Sequence, residues 1–198
     1  MNPARLYDLM APIYGPAWRA IPPWRRYSMA ALPWLPDEGA VLEIGPGPGL
    51  VHEILAQRAA LTVGLDISAG MLRRTRERLQ ARGLPARLVR GAAQALPFAD
   101  ASFDAIVMTF VFSAIPDGER AMRAFARILR PGGVLILVDA CIPNDDNIPA
   151  RVLARMWTLF GDQMRDEATL MRATGLTVIA KREFGAFHSI RITVGRKK

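Results

Sequence analysis

This chain predicts an α/β fold with an open, mostly parallel sheet wound by helices on both faces, and three observations carry the prediction. Short apolar runs of strand length recur along its 198 residues, most of them followed by a stretch with helical apolar spacing. One run, Val41-Leu42-Glu43-Ile44, passes directly into Gly45-Pro46-Gly47-Pro48-Gly49 and then a helical pattern. Glycines at such a turn admit tight bends and a close approach of ligand to backbone. A second run, Leu61-Thr62-Val63-Gly64-Leu65, ends in Asp66, at the strand end where the ligand crevice of such a sheet lies. The length suits one domain, 1–198, around a single buried core.

Taken in order, residues 3 to 31 read as two helical pieces around Pro12 and Pro22-Pro23, with Leu6, Leu9, Met10 and Ile13 at helical spacing to cap the domain. A strand at 40–44 leads into a helix to about Gln57. A strand at 61–66 leads into a helix N-capped by Ser68, whose Met71, Leu72, Thr75 and Leu79 form a buried stripe and which Gly83 closes. A strand at 86–90 follows. Phe103 to Thr109 is a continuous apolar run, suited to the centre of a parallel sheet. Asp117 caps a helix with Met122, Phe125, Ile128 and Leu129 toward the sheet and Arg120, Arg123 and Arg127 toward water. Pro131-Gly132-Gly133 ends that helix and turns into a strand at 134–139. After the polar Asn144-Asp145-Asp146-Asn147 comes a short helix, 149–160, then a helix near 166–173. Two strands at 176–183 and 187–194 close the chain as a hairpin.

The glycine turn is not the dinucleotide fingerprint, which needs glycines at relative positions 1, 3 and 6; the sixth place here is Leu50. Pro46 and Pro48 also remove two N–H donors that a pyrophosphate would use, so the ligand should carry little or no phosphate at this turn. Glu43-x-Gly45-x-Gly47-x-Gly49 resembles the first motif of the class I S-adenosylmethionine-dependent methyltransferases. The likeness continues through Asp66-Ile67-Ser68-Ala69-Gly70-Met71-Leu72, Gly91-Ala92-Ala93-Gln94-Ala95-Leu96-Pro97-Phe98, Ser102-Phe103-Asp104 and Leu129-Arg130-Pro131-Gly132-Gly133, in the family's order. It covers roughly residues 5 to 195 and is similar to the methyltransferase type 11, quinone and phospholipid methyltransferase-like group. The resemblance implies a Rossmann-like doubly wound seven-stranded sheet of order 3-2-1-4-5-7-6 with strand seven antiparallel. The N-terminal segment 1–35 would be a cap, and 141–165 a short insertion near the acceptor.

It also implies the cofactor, S-adenosylmethionine, released as S-adenosylhomocysteine. Carried over position by position, Asp66 would take the ribose hydroxyls, Ile67 and Met71 would pack on the adenine, Gly45 and Gly47 would admit the methionine moiety, and Pro46 between them would also contact the cofactor. Glu43 would accept from the cofactor or order the loop, and Thr109 would border the sulfonium. The chain departs from the family at the adenine edge, where Ala92 replaces the usual acid, so backbone groups of Ala92 and Ala93 would read the base. Tyr7-Asp8-x-x-Ala11-x-x-Tyr14-Gly15 looks like the opening of quinone and phospholipid methyltransferases, with Gly15 in place of the final acid. Tyr14, and with it Tyr7, would close over the cofactor. Methyl transfer from a sulfonium needs no metal, and Tyr7, Tyr14 and Ser113 are the positioning candidates. The segment Thr109-Phe110-Val111-Phe112-Ser113 lacks the Asn/Asp-Pro-Pro-aromatic motif of amino-directed DNA and glutamine enzymes, and His52 and His188 read as structural.

A net charge of +8 invites an anionic partner. The densest basic stretch, Arg73 to Arg90, has no aromatic residue for base stacking, so it reads as a solvated helix face and nucleic acid as an unlikely partner. Trp18, Arg19, Trp24, Arg25, Arg26, Tyr27 and Trp34 place aromatic beside cationic side chains, as an interfacial helix does, which makes residues 1–34 a candidate for peripheral membrane contact. Cys141 is the one cysteine, which excludes an intrachain disulfide. No run of apolar residues reaches membrane-spanning length and no signal-peptide core is present, so the expected location is cytoplasmic or peripheral to the inner membrane face. Three functional readings follow: methylation of a small or amphiphilic molecule, with a phospholipid head-group amine foremost; C-methylation of a quinone precursor; or an RNA-modifying enzyme or non-catalytic cofactor-binding protein.

Overall fold

The computed structural model of the chain describes residues 3–20, 22–143, 152 and 163–198, the side chains of 3, 13–20 and 22–24 excepted. Seven strands form one sheet: β1 (Ala40–Ile44), β2 (Leu61–Asp66), β3 (Leu88–Arg90), β4 (Phe103–Thr109), β5 (Leu129–Ala140), β6 (Leu176–Phe184) and β7 (Ile190–Lys197), in the order β3-β2-β1-β4-β5-β7-β6. β1, β2, β3, β4 and β5 pair in parallel, and β7 runs antiparallel to both β5 and β6. The seven-stranded, doubly wound sheet expected from the sequence is the one observed.

Side-chain parity sorts the core onto the two faces. Ile106 and Met108 of β4, with Leu42 of β1 and Leu135 of β5, pack under α5 (Gly118–Ile128) and α6 (Glu167–Ala173). Ala105 and Val107, with Val41 and Ile136, pack under α3 (Leu50–Arg58) and a 3-10 turn at Met29–Trp34. Helix α5 carries the expected division, with Met122, Phe125 and Ile128 fully buried. Its cap is also as expected, Arg120 N–H donating to Asp117 Oδ1 at 2.9 Å.

Several boundaries differ from the sequence reading. α1 (Pro3–Ala20) is one helix that runs through Pro12, followed by α2 (Pro22–Ser28). The expected apolar face is packed only in part: Leu6 and Met10 are half-buried but Leu9 is 78% exposed, whereas Ala11 is buried, and the side chain of Ile13 lies outside the described residues. Asp8 sets the rotation, since its carboxylate is bonded to the start of α4 (Ala69–Gln80), and Ala11, three residues on, shares that side. β5 begins at Leu129 rather than 134. Its pairing with β4 jumps from Phe103↔Leu129 to Ala105↔Val134, the surplus residues being accommodated around left-handed Gly132. β3 is shorter than expected, and β7 starts at Ile190 after a turn in which Phe187 and His188 adopt positive φ. The helix expected at 149–160 and most of the insertion lie outside the described residues. Among those described, no helix is long and apolar enough to cross a membrane.

Candidate functional site

The sheet reverses its winding between β1 and β4, and a cavity of about 280 Å³ opens there, beyond the carboxyl ends of the strands. Its floor is the glycine turn. Gly45, Gly47 and Gly49 all have positive φ, 68°, 53° and 80°, which side-chain-bearing residues rarely adopt. At Gly45 the requirement is double, because a Cβ would lie 2.4 Å from Val111 Cγ2. A Cβ on Gly47 would meet nothing within 4 Å. Two carbonyls of the turn are held from α4: Thr75 Oγ1 donates to Gly47 O at 2.7 Å and Arg78 Nε to Pro48 O at 2.9 Å. Arg78 also pairs with Glu53 at 2.9 Å, so this arginine is part of the loop's support rather than of a solvated face.

Two carboxylates line the cavity. Asp66, 8% exposed, accepts from Ser68 N–H at 2.9 Å. Desolvation pushes its pKa up to about 6 against hydrogen bonds from the backbone of Ser68, Gly47 and Ile67, and the nearby Glu43 charge adds to the rise. Glu43, 1% exposed, has Oε2 at 2.8 Å from Nδ1 of fully buried His52, whose Nε2 has no hydrogen-bond partner among the described residues. His52 is thus structural, as expected, but its task is specific: a ring packed against Gly64 orients the motif acid.

The walls come from distant parts of the chain. Ile67 and Met71 lie on one side, Gly91, Ala92, Ala93 and Gln94 at one end, and Thr109, Phe110, Val111, Ala114, Ile115 and Pro116 opposite. Tyr7 covers the cavity from α1, and Ser28 enters from the end of α2. So Tyr7, Glu43, Gly45, Pro46, Gly47, Asp66, Ile67, Met71, Ala92, Ala93 and Thr109 all line one space. Tyr14 belongs to α1, but its side chain lies outside the described residues. Ser113 is the correction. It is absent from the lining because its N–H and Oγ–H both donate to Asp139, at 2.8 and 2.9 Å.

That bonding explains how the wall is built. Asp139, at the end of β5, is fully buried, and desolvation pushes its pKa up to about 7 despite the donors from Ser113 and Ala140. From outside, Arg165 donates to Phe112 O at 3.0 Å, Ile115 O at 2.6 Å and Pro116 O at 3.0 Å. Just before these anchors Phe110 is held at φ 58°, a conformation costly for a bulky residue, with its N–H on Val138 O at 2.7 Å. Sequence reasoning missed Phe110 and Ser28 as lining residues. Ser28 is placed by its neighbour: Tyr27 Oη accepts from Ala186 N–H at 3.0 Å and its ring packs edge-on against Phe184 at 5.7 Å. No local signal could have revealed that contact. Among the described residues no three His, Cys, Asp or Glu side chains gather as a metal-ligand group, and Cys141 is buried with its thiol pushed up to about 12 by that burial.

Residues 42–137 match the family model described as a methyltransferase domain. Over 103 residues the chain is 40% identical to a phosphatidylethanolamine N-methyltransferase of Cereibacter sphaeroides, covering 51% of this chain and 50% of that protein. Over 119 residues it is 37% identical to a demethylmenaquinone methyltransferase of Thermus thermophilus, covering 59% and 53%. The chain spans about half the length of the curated relatives it matches. A SAM-dependent methyltransferase from Thermotoga maritima shares the fold with a TM-score of 0.77 at 22% identity, over 98% of this chain and 99% of that one.

Proposed function

We propose that this chain, which carries a methyltransferase domain over residues 42–137, moves a methyl group from S-adenosylmethionine to the head-group amine of a phospholipid. The cavity's polar frame is the observation that supports the donor: a desolvated carboxylate at the end of β2 faces the same space as a glycine turn with no Cβ between backbone and ligand. Those residues fit the cofactor. Asp66 would accept from the ribose hydroxyls, Ile67 and Met71 would flank the adenine, and the backbone at Ala92 and Ala93 would read its edge. Gly45, Pro46 and Gly47 would pass the methionine moiety toward Glu43 and Thr109. When bound, S-adenosylmethionine supplies a methyl already activated on a sulfonium.

The protein's task is then to place the acceptor in line and keep water out, an effect worth about 7–11 kcal/mol when geometry is well held. The apolar wall of Phe110, Val111, Ala114, Ile115 and Pro116 performs the second part and disfavours a charged ammonium, leaving an amine acceptor with its lone pair free. Tyr7 and Ser28, which line the cavity and carry hydroxyls, would help orient it. Exposed Leu9, Arg5, Arg25 and Arg26 on α1 and α2 support a peripheral contact of residues 1–34 with an anionic membrane, at the inner face of the cell membrane. The likeness to a phosphatidylethanolamine enzyme supports the same acceptor.

The likeness to a demethylmenaquinone enzyme favours a second reading, methylation of a ring carbon in a quinone precursor, which the same apolar wall would also admit. Methyl-labelled cofactor offered with phosphatidylethanolamine liposomes, with and without demethylmenaquinone, separates the two. Label in the head group is expected. Label in the quinone ring would replace the first reading with the second, and no label together with no liposome binding would overturn both.

A further inference from the structure

Asp8 lies outside the cavity, yet it is bonded to Ser68, the residue that donates to the cavity's Asp66. Its Oδ1 accepts from Ser68 Oγ–H at 2.6 Å and from Gly70 N–H at 2.8 Å. Ser68 is fully buried, and its own N–H donates to Asp66 at 2.9 Å, while its Oγ accepts from Met71 N–H at 3.0 Å to cap α4. One residue therefore spans the carboxylate inside the cavity and the carboxylate on the cover. The seam is close: a Cβ on Gly70 would lie 3.1 Å from Ala11 Cβ and 3.3 Å from Asp8 Oδ1. Directly before Asp8 in α1 stands Tyr7, which faces the cavity.

We infer that Asp8 is a positioning residue of the cofactor site: it clamps α1 against the start of α4, keeps Tyr7 over the cavity, and couples closure of this cover to occupancy at Asp66 through Ser68. The coupling has a physical basis on both sides. With α1 lifted, the buried Ser68 hydroxyl and the Gly70 N–H lose an ionised acceptor, and the first turn of α4 is left with unmatched donors. With a ligand drawing on Asp66, the Ser68 backbone is fixed and the hydroxyl is already aimed at Asp8. Each event makes the other more favourable, and the reciprocity is required by linkage. The sequence motif Tyr7-Asp8 thereby acquires two tasks: the tyrosine covers the cavity and the acid holds the tyrosine there.

The inference rests on the cofactor reading above, and its test separates the two. Release of S-adenosylhomocysteine would be timed by stopped flow for the unaltered chain, Asp8→Ala and Asp8→Asn, and amide exchange of residues 4–12 would be followed with and without ligand. Loss of two charge-assisted bonds should speed release of ligand by about tenfold in Asp8→Ala, chiefly through the off-rate. Asp8→Asn, which keeps an acceptor oxygen, should fall between. In the unaltered chain, ligand should slow exchange in α1; in Asp8→Ala, α1 should exchange faster than in the unaltered chain even without ligand, while β4 and β5 keep their protection. Equal α1 exchange in the two ligand-free chains would overturn the clamp. Unchanged release, or α1 exchange indifferent to ligand, would overturn the coupling. A chain that binds neither cofactor nor product would sink the donor assignment and the coupling with it, whereas the ligand-free exchange comparison would still judge the clamp.

Discussion

Asp66 carries a cost that can be measured. Its pKa stands at about 6 rather than 3.8, because burial strips water from the carboxylate faster than its backbone donors repay it. The difference of roughly two units corresponds to about 3 kcal/mol between the protonation states. The folded chain therefore favours neutral Asp66: this contribution to stability is fully present below pH 3.8 and is lost as pH rises through about 6. A ribose diol needs the ionised form as acceptor, so cofactor affinity should run the opposite way, about tenfold weaker at pH 5 than at pH 7. Asp66→Asn combines both tests. Without ligand it should be more stable than the unaltered chain at pH 7, by no more than ~3 kcal/mol, with the gain vanishing near pH 4. It should also lose cofactor binding. Urea midpoints at the two pH values and calorimetric titration from pH 5 to 8 provide the readings. Flat affinity across that range, or an Asn variant less stable at pH 7, would refute the assignment of Asp66 as a desolvated ribose acceptor.

Three further outcomes are expected. His52→Leu leaves the Glu43 carboxylate without its buried donor and should cost about 3 kcal/mol in a urea melt, while His52→Asn, which retains an N–H near Nδ1, should recover much of it. Gly45→Ala meets both a φ of 68° and Val111 Cγ2 at 2.4 Å, so cofactor binding should be lost and stability should fall by at least ~2 kcal/mol, as calorimetry and melts would show. Ionisation of Asp139 should lower the melting midpoint between about pH 4 and pH 7 and then level off, since its stabilising neutral form is lost as pH rises from 3.8 through about 7. In Asp139→Asn that part of the slope should be absent, and an identical slope would exclude Asp139 as its source.

Much of this molecule is legible where the physical cause is local. The bounds of β1, β2 and β4 follow from apolar runs buried on both faces of a central sheet, and Ser68 and Asp117 announce their helices because a cap bonds only three residues away. The alternating glycines anticipate a turn that needs three left-handed residues. Asp66 could be placed because a strand end and a helix start fix its position without reference to the rest of the chain. Elements with an irregular partner were less legible. β5 starts early because β4 can pair with Leu129 before the bulge, and no pattern within 129–134 shows that.

The sequence by itself determined the sheet, the glycine turn, the acid beside it and the family likeness that names a methyl donor. Tertiary structure decided what stands around them: Ser113 turned away to Asp139, Ser28 brought in by Tyr27, Phe110 held in a left-handed conformation, Glu43 fixed by His52, and Asp8 joined to Ser68 across 60 positions. The division has one physical reason. A cap, a turn or a strand is selected by neighbours within a few residues, whereas these pairings depend on sheet order and on how each helix is rotated against its neighbour, which only the packed chain specifies.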